Sequence, residues 1–390
     1  MNPPPAARCW AEIDLGALRH NARVAQERVG PNTALLAVVK ANGYGHGLLP
    51  VARELALGAG VRRFGVANVA EAACLQDEGA WPPEIARETT ISLLSPALPD
   101  ERAEVVRRRL VPWISTEAEA RAYAATVARA GAETPLEVEI EIDTGMGRSG
   151  VLPPDFAALR RVLATLPELR LRGLVTHLPS PDEDADFTRA QLLAFSKIVA
   201  DSENPADARA RVHAQNSAGL LGYPLAAGCN SARPGLMLYG ASPLPECQAL
   251  LRPVLTLKTR VTLVRELPQG WGVSYGRTFL APRPLRVATL AAGYGDGYPR
   301  HLSGMGAAVL IRGRRCPLLG RVTMDQLLAD VSALEPPAVE PGEEVVLLGR
   351  QGGSEEISAG ELAARAGTIP WEIFTGLTSR VARRYFGGSG

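Results

Sequence analysis

Ala37-Val-Val-Lys40-Ala-Asn-Gly43-Tyr-Gly45-His-Gly47 starts as an apolar run, reaches a single lysine and turns at once into a glycine-rich bend. Glycines at 43, 45 and 47 let the backbone turn sharply and lie close to a ligand, and a helix is expected from about Leu48. The stretch therefore reads as strand, tight turn and helix, with Lys40 at the strand's end. Outward from it, between Ala34 and about Leu238, short apolar runs alternate with longer amphipathic stretches: ALLAVVK, FGVANV, TISLLS, VPWIS, LEVEIEID, LRGLVTH, RVHAQ and RPGLMLYG. Helices such as Glu117 to Arg129 and Phe187 to Ala200 are expected between these strands. Eight such alternations are the rhythm of a parallel (β/α)8 barrel, in which chemistry sits at the C-terminal ends of the strands. Lys40, Arg148, His177, Asn216 and the Arg233 segment all fall at or just beyond such ends.

After Pro243-Leu-Pro245 the rhythm changes. Val254 to Val264, Leu285 to Ala291, Ala308 to Ile311 and Glu344 to Leu348, separated by glycine and proline turns, read as strands of a mainly β domain. One helix is expected near Ser358 to Ala366, where Ser358 and Glu361 fit a capping box. The expected fold class is α/β: an N-terminal TIM-type barrel over 1–245 and a mainly β C-terminal domain over 246–390.

The 390 residues are 46% hydrophobic, enough for a large core, and a net charge of +1 gives no broad basic field for nucleic acid or an anionic membrane. MNPPPAARCW lacks the apolar core of a signal peptide and no uncharged stretch is long enough to span a bilayer, so a cytoplasmic protein is expected. Five cysteines (Cys9, Cys74, Cys229, Cys247, Cys316) lack CxxC spacing and read as reduced thiols. Asp182, Glu183, Asp184 and Asp186, after His177, read as the solvated first turn of a helix, and no metal is expected.

Only three lysines (Lys40, Lys197, Lys258) stand among 42 basic residues. Arginine serves wherever positive charge suffices, whereas a lysine amine also deprotonates and condenses with an aldehyde. A lysine at the mouth of a buried strand is thus a candidate for amine chemistry, beside the plainer reading of a snorkelling side chain. Tyr44 offers a hydroxyl to a phosphate. Asn216-Ser217 follows the seventh strand and Arg233-Pro-Gly235-Leu236 lies in the eighth, and loops after strands seven and eight are a common phosphate site in barrels. Leu136 to Asp143 alternates strictly, which puts Glu137, Glu139, Glu141 and Asp143 on one face, pointing into the barrel, where carboxylates need cationic or hydrogen-bonding partners.

VVKANGYGHG resembles the cofactor-lysine signature of the alanine racemases, fold type III pyridoxal-phosphate enzymes. The Asn216-Ser217 and Arg233 segments, IDTGMGRSG around Arg148, GVSYG around Tyr275, GRVTMDQ around Met324 and AAGYGDGY around Tyr294 resemble further signatures of that family, in its order and over nearly the whole chain. The resemblance implies that Lys40 carries pyridoxal 5'-phosphate as an internal Schiff base. It places Arg233 at the pyridine nitrogen, Tyr44, Asn216, Ser217, Gly235 and Leu236 around the phosphate, and Arg148 at the cofactor's phenolic oxygen and the substrate carboxylate. It makes Lys40 and Tyr275 the two bases, with His177 hydrogen-bonded to Tyr275 and meeting Arg233. Met324 would bind substrate carboxylate, Asp325 would organise the site, and Tyr294 would line the access corridor.

Two positions depart from the family pattern. Glu141 stands where many members carry a carboxylated lysine and supplies negative charge to Arg148 permanently; Trp371 stands where the family usually has a tyrosine, which predicts altered phosphate contact or pocket size. The resemblance further implies interconversion of L-alanine and D-alanine for peptidoglycan, and a homodimer with shared active sites. The alternatives are a racemase of broader specificity and a non-catalytic pyridoxal-phosphate-binding protein.

Overall fold

The computed structural model describes residues 7–202, 211–353 and 355–389. Residues 1–6, on which the signal-peptide reading partly rests, lie outside them. The chain begins with strand β1 (Cys9–Asp14) and a helix (Leu15–Val29) whose N-cap, Asp14, accepts from Ala17 N–H. The barrel follows as β2 (Ala34–Val38), β3 (Arg63–Val66), β4 (Thr90–Leu93), β5 (Val111–Ile114), β6 (Leu136–Glu141), β7 (Leu169–Val175), β8 (Arg211–His213) and β9 (Ser231–Ala232), all parallel and closed by β9 on β2. Helices cover the outside, including Leu48–Leu57, Glu117–Arg129 and Ala185–Asp201. The strands are therefore buried on both faces, which is why they read as near-continuous apolar runs.

The eighth strand is displaced from its expected place. It is Ser231–Ala232, and RPGLMLYG follows it as a loop and a short 3₁₀ turn (Leu236–Tyr239). Pro234 has no N–H to give a ladder and Gly235 sits at φ −127°, ψ −94°, so the run leaves the sheet although Leu236 to Tyr239 stay buried.

The C-terminal sheet is built around β10 (Leu255–Leu267), which pairs antiparallel with Leu285–Leu290 and Glu344–Arg350. β1 joins this sheet and not the barrel: it pairs antiparallel with β10, Trp10 opposite Lys258, and parallel with Ala382–Phe386. A barrel running unbroken from residue 1 is thus corrected, because Cys9–Asp14 finds its ladder partners more than two hundred residues away. Trp10 is 2% exposed, with the guanidiniums of Arg260 and Arg384 at 5.1 and 5.0 Å from its ring and Glu12 accepting its indole N–H. Burying such a ring contributes roughly 4–6 kcal/mol of transfer free energy toward ordering the six-residue strand on a distant sheet, the ladder bonds and the buried Ala11 and Ile13 adding to it. Ser358 caps the helix Ala359–Ala366 as expected, but the reciprocal half of the capping box is replaced: the Glu361 carboxylate pairs with Arg315 and Arg365 instead.

Candidate active site

Immediately after β2 the backbone does something that glycine content alone only hinted at. Ala41, Asn42, Gly43 and Tyr44 all take left-handed conformations (φ 51° to 59°), a one-turn coil of the wrong hand for L-residues. Three groups hold it. Glu71 accepts Ala41 N–H at 2.6 Å with one oxygen and Ala67 N–H at 2.8 Å with the other, Asn42 accepts Leu48 N–H, and the Tyr44 ring stacks on Tyr239 at 4.7 Å. The coil turns Lys40 into a cavity of about 430 Å³ at the C-terminal mouth of the barrel.

That cavity is lined by Lys40, Tyr44, Arg148, His177, Asn216, Ser217, Arg233, Gly235, Leu236 and Trp371. Burial, with the Arg148 charge adding to it and Glu71 opposing, holds the Lys40 amine below its ordinary 10.5. At its far wall Ser217 Oγ accepts the N–H groups of Gly235 (2.9 Å) and Met237 (3.2 Å), and Asn216 caps the Ser217–Gly222 helix while donating to Leu178 O. Gly235 is required by space: a Cβ there would meet the Tyr44 hydroxyl at 2.8 Å. Burial pushes that hydroxyl up to about 12, against an opposing pull from the Trp371 indole. Tyr44 and Ser217 therefore present neutral hydroxyls to an anion.

Arg233 is 3% exposed, and its hydrogen bonds can be counted. NH1 meets His213 Nδ1 (2.6 Å) and donates to His213 O (3.0 Å); NH2 donates to Thr176 O (2.6 Å) and Ala214 O (3.0 Å), with His177 Nδ1 a more distant third at 3.4 Å. The four terminal hydrogens are thereby used, one on NH2 being shared between a carbonyl and His177 Nδ1. Only Nε–H has no partner among the described residues, which leaves one donor for whatever occupies the cavity. Because a guanidinium only donates, both histidines must turn an unprotonated Nδ1 toward it and carry their proton on Nε2. Burial and the Arg233 charge push His177 down to about 3, so it is neutral near pH 7.

Of the acids of β6, Glu139 and Glu141 are buried; Glu137 ion-pairs with Arg172 and Arg211, and Glu139 hydrogen-bonds His213. Glu141 departs from expectation. It bonds Ser149, and Arg148 is exposed with no ion pair to it among the described residues, so the charge acts on Arg148 only through space. Desolvation raises the Glu141 carboxyl, which is what a buried acid without a direct cation does. The Arg148 loop is instead shaped by Asp143, whose carboxylate accepts the N–H groups of Gly145, Met146 and Gly147.

Tyr275, Tyr294, Met324 and Asp325 do not reach this cavity within one chain. They line a second one of about 840 Å³ on the C-terminal unit, where Tyr275 is 72% and Met324 52% exposed and Asp325 pairs with Arg380. Asp184, from the acidic run after His177, caps the helix Ala185–Asp201 by accepting Phe187 N–H.

Residues 13–243 match the model of the alanine racemase N-terminal domain and residues 254–385 that of its C-terminal domain. The chain belongs to the alanine racemase family. An alanine racemase of Methylacidiphilum infernorum is 39% identical over 98% of this chain and 94% of its own length. The alanine racemase structure from Streptomyces coelicolor A3(2) superposes with TM-score 0.85 at 38% identity, covering 97% of this chain and 98% of that one. A further family structure, from Bartonella henselae and with covalently bound pyridoxal phosphate, gives TM-score 0.84 at 27% identity over 97% and 100% of the two chains. Family members thus cover both units of the chain. Glu71 and His213 were not singled out from sequence as parts of the site, and the strict alternation from Leu136 to Asp143 pointed to Glu139 and Asp143 only as inward-facing acids, without a role for either.

Proposed function

We infer that the chain interconverts L-alanine and D-alanine with pyridoxal phosphate held in the Lys40 cavity, and so supplies D-alanine for peptidoglycan. The observation that carries this reading is the single spare N–H of Arg233 in the cavity that also holds Lys40. The residues present fit the cofactor: Lys40 for the aldehyde, Arg233 Nε for the ring nitrogen, and Tyr44, Ser217 and the backbone at Gly235 and Leu236 for the phosphate. Bound pyridoxal phosphate supplies an electron-withdrawing ring that acidifies the substrate Cα–H. Arg233 does not give up its proton readily, so it leaves the ring nitrogen unprotonated and favours return of the proton to Cα over transamination. Arg148, exposed at the cavity rim, orients the substrate carboxylate. Lys40, with its amine held below the ordinary range, takes or delivers the Cα proton on one face.

The second face needs a second group, and Tyr275 is that group in a second copy of the chain. Its exposure and its separate cavity support this, as does the Nε2–H of His177, a donor that would stabilise a phenolate brought to it. Met324 then meets the substrate carboxylate and Asp325, held by Arg380, orders the loop beside it. The protein thus acts as a homodimer with shared sites. The five cysteines, all unpaired, suit the cytoplasm. Mixing a Lys40→Ala protein with a Tyr275→Phe protein tests the dimer: each hybrid has one intact site, so re-equilibrated mixtures should recover about a quarter of wild-type activity. No recovery would sink the shared site.

Trp371 in the cavity wall, where the family usually has tyrosine, supports a second reading of broader side-chain range. Chiral chromatography after incubation with pyridoxal phosphate and, separately, L-alanine, L-serine, L-lysine and L-arginine decides between them. D-alanine alone fits the narrow reading, several D-products the broad one, and no product would leave only a cofactor-binding protein.

A further inference from the structure

The barrel interior behind the Lys40 cavity holds a buried chain that the reaction scheme above does not use. Glu139 on β6 is fully buried, His213 at the end of β8 is fully buried, and Arg233 is 3% exposed. Glu139 Oε2 lies 3.1 Å from His213 Nε2, and His213 Nδ1 lies 2.6 Å from Arg233 NH1. Since Arg233 only donates, His213 carries its proton on Nε2 and gives it to Glu139; the carboxylate is the chain's terminal acceptor. The second oxygen, Oε1, has no hydrogen bond among the described residues, and its nearest cation, Arg211, stands 3.7 Å away. Glu139 therefore directs its charge-assisted bond to His213. A charged acceptor makes a hydrogen bond roughly twice as strong as a neutral one, and it polarises His213 so that Nδ1 holds Arg233 harder.

The consequence lies at the other end of the guanidinium. The group is planar and rigid, so fixing NH1 on His213 and NH2 on the Thr176 and Ala214 carbonyls also fixes the direction of Nε–H. We propose that Glu139 is a positioning residue for the cofactor ring: through His213 it aims the spare Nε–H of Arg233 at the pyridine nitrogen. The proposal rests on the reading that the Lys40 cavity holds pyridoxal phosphate. It assigns no contact between Glu139 and cofactor or substrate.

Equilibrium binding to cofactor-stripped full-length protein tests it, with two probes: pyridoxal phosphate, and its analogue in which a ring C–H replaces the pyridine nitrogen. Glu139→Gln keeps shape and one acceptor oxygen but removes the charge. The expected result is a loss of about tenfold in affinity for pyridoxal phosphate and less than about twofold for the analogue, which offers Arg233 no acceptor. Equal losses for the two probes would mean that Glu139 only supports the fold, and no loss for either would mean that it does nothing here; both overturn the proposal. If the glutamine variant does not fold, Glu139→Asp, which keeps the charge and withdraws the oxygen from His213, must show the same selective loss. Wild-type protein that binds neither probe would instead overturn the cofactor reading itself, which separates the two failures.

Discussion

Replacing Glu71 with glutamine should loosen the turn that presents Lys40 while leaving the barrel intact. Ala41 and Tyr44 each cost roughly 1–2 kcal/mol in the left-handed region, so about 2–4 kcal/mol is stored there, Asn42 and Gly43 adopting it more cheaply. Glu71 opposes that strain with two bonds from its carboxylate, to Ala41 N–H and Ala67 N–H. Each such bond contributes roughly 1.5–3 kcal/mol, and because Ala41 is exposed the lower figure applies. A glutamine keeps one acceptor and turns an NH2 toward the other N–H, so about 1.5 kcal/mol is lost, close to a tenfold shift toward the open turn. Amide hydrogen exchange across 41–47 should therefore quicken by roughly tenfold and pyridoxal phosphate affinity should fall by no more than the same factor, with the urea midpoint little changed. Unchanged exchange at 41–47, or a uniform rise across the whole barrel, would refute the account of how Lys40 is held.

Tyr275→Phe should slow isotope exchange at Cα of L-alanine far more than of D-alanine, since only one face loses its base; equal slowing would count against two bases. Gly235→Ala brings a Cβ to 2.8 Å from the Tyr44 hydroxyl, a ring that cannot retreat because it stacks on Tyr239, and should cost roughly 1–3 kcal/mol of stability, read by urea titration, together with weaker cofactor binding. Burial pushes His46 and His213 down to about 4 and His177 to about 3, from an ordinary 6.5. The unfolded chain therefore binds more protons between those values and 6.5: their contribution is complete above 6.5 and is lost as pH falls through the window. The slope should approach at most about 4 kcal/mol per pH unit in denaturant titrations run from about pH 7 to pH 5, and His177→Gln should remove about a third of it.

Which parts of this molecule were open to a reader of the sequence follows from the range of each signal. The Lys40 turn, the strand and helix alternation and the change of rhythm after Pro245 are written in neighbouring residues, because periodicity and glycine act over a few positions. Lys40, Arg148, His177, Ser217 and Arg233 could be placed near one another for the same reason, each lying at a strand end of an expected barrel. The eighth strand was misplaced by a few residues because RPGLMLYG is as apolar as a strand and is buried for a different purpose, as a loop and turn beside the cavity.

The barrel, the later β unit and the lysine that the turn delivers are encoded within short stretches of the chain. The folded arrangement set the rest: Cys9–Asp14 belongs to the far sheet, Glu71 braces a turn 30 residues before it, Glu139 reaches Arg233 through a histidine 74 residues on, and Tyr275 lines a cavity separate from that of Lys40. Periodicity reports which face of an element is apolar, whereas a buried polar partner is chosen by geometry after the chain has closed, and that geometry leaves no trace at short range.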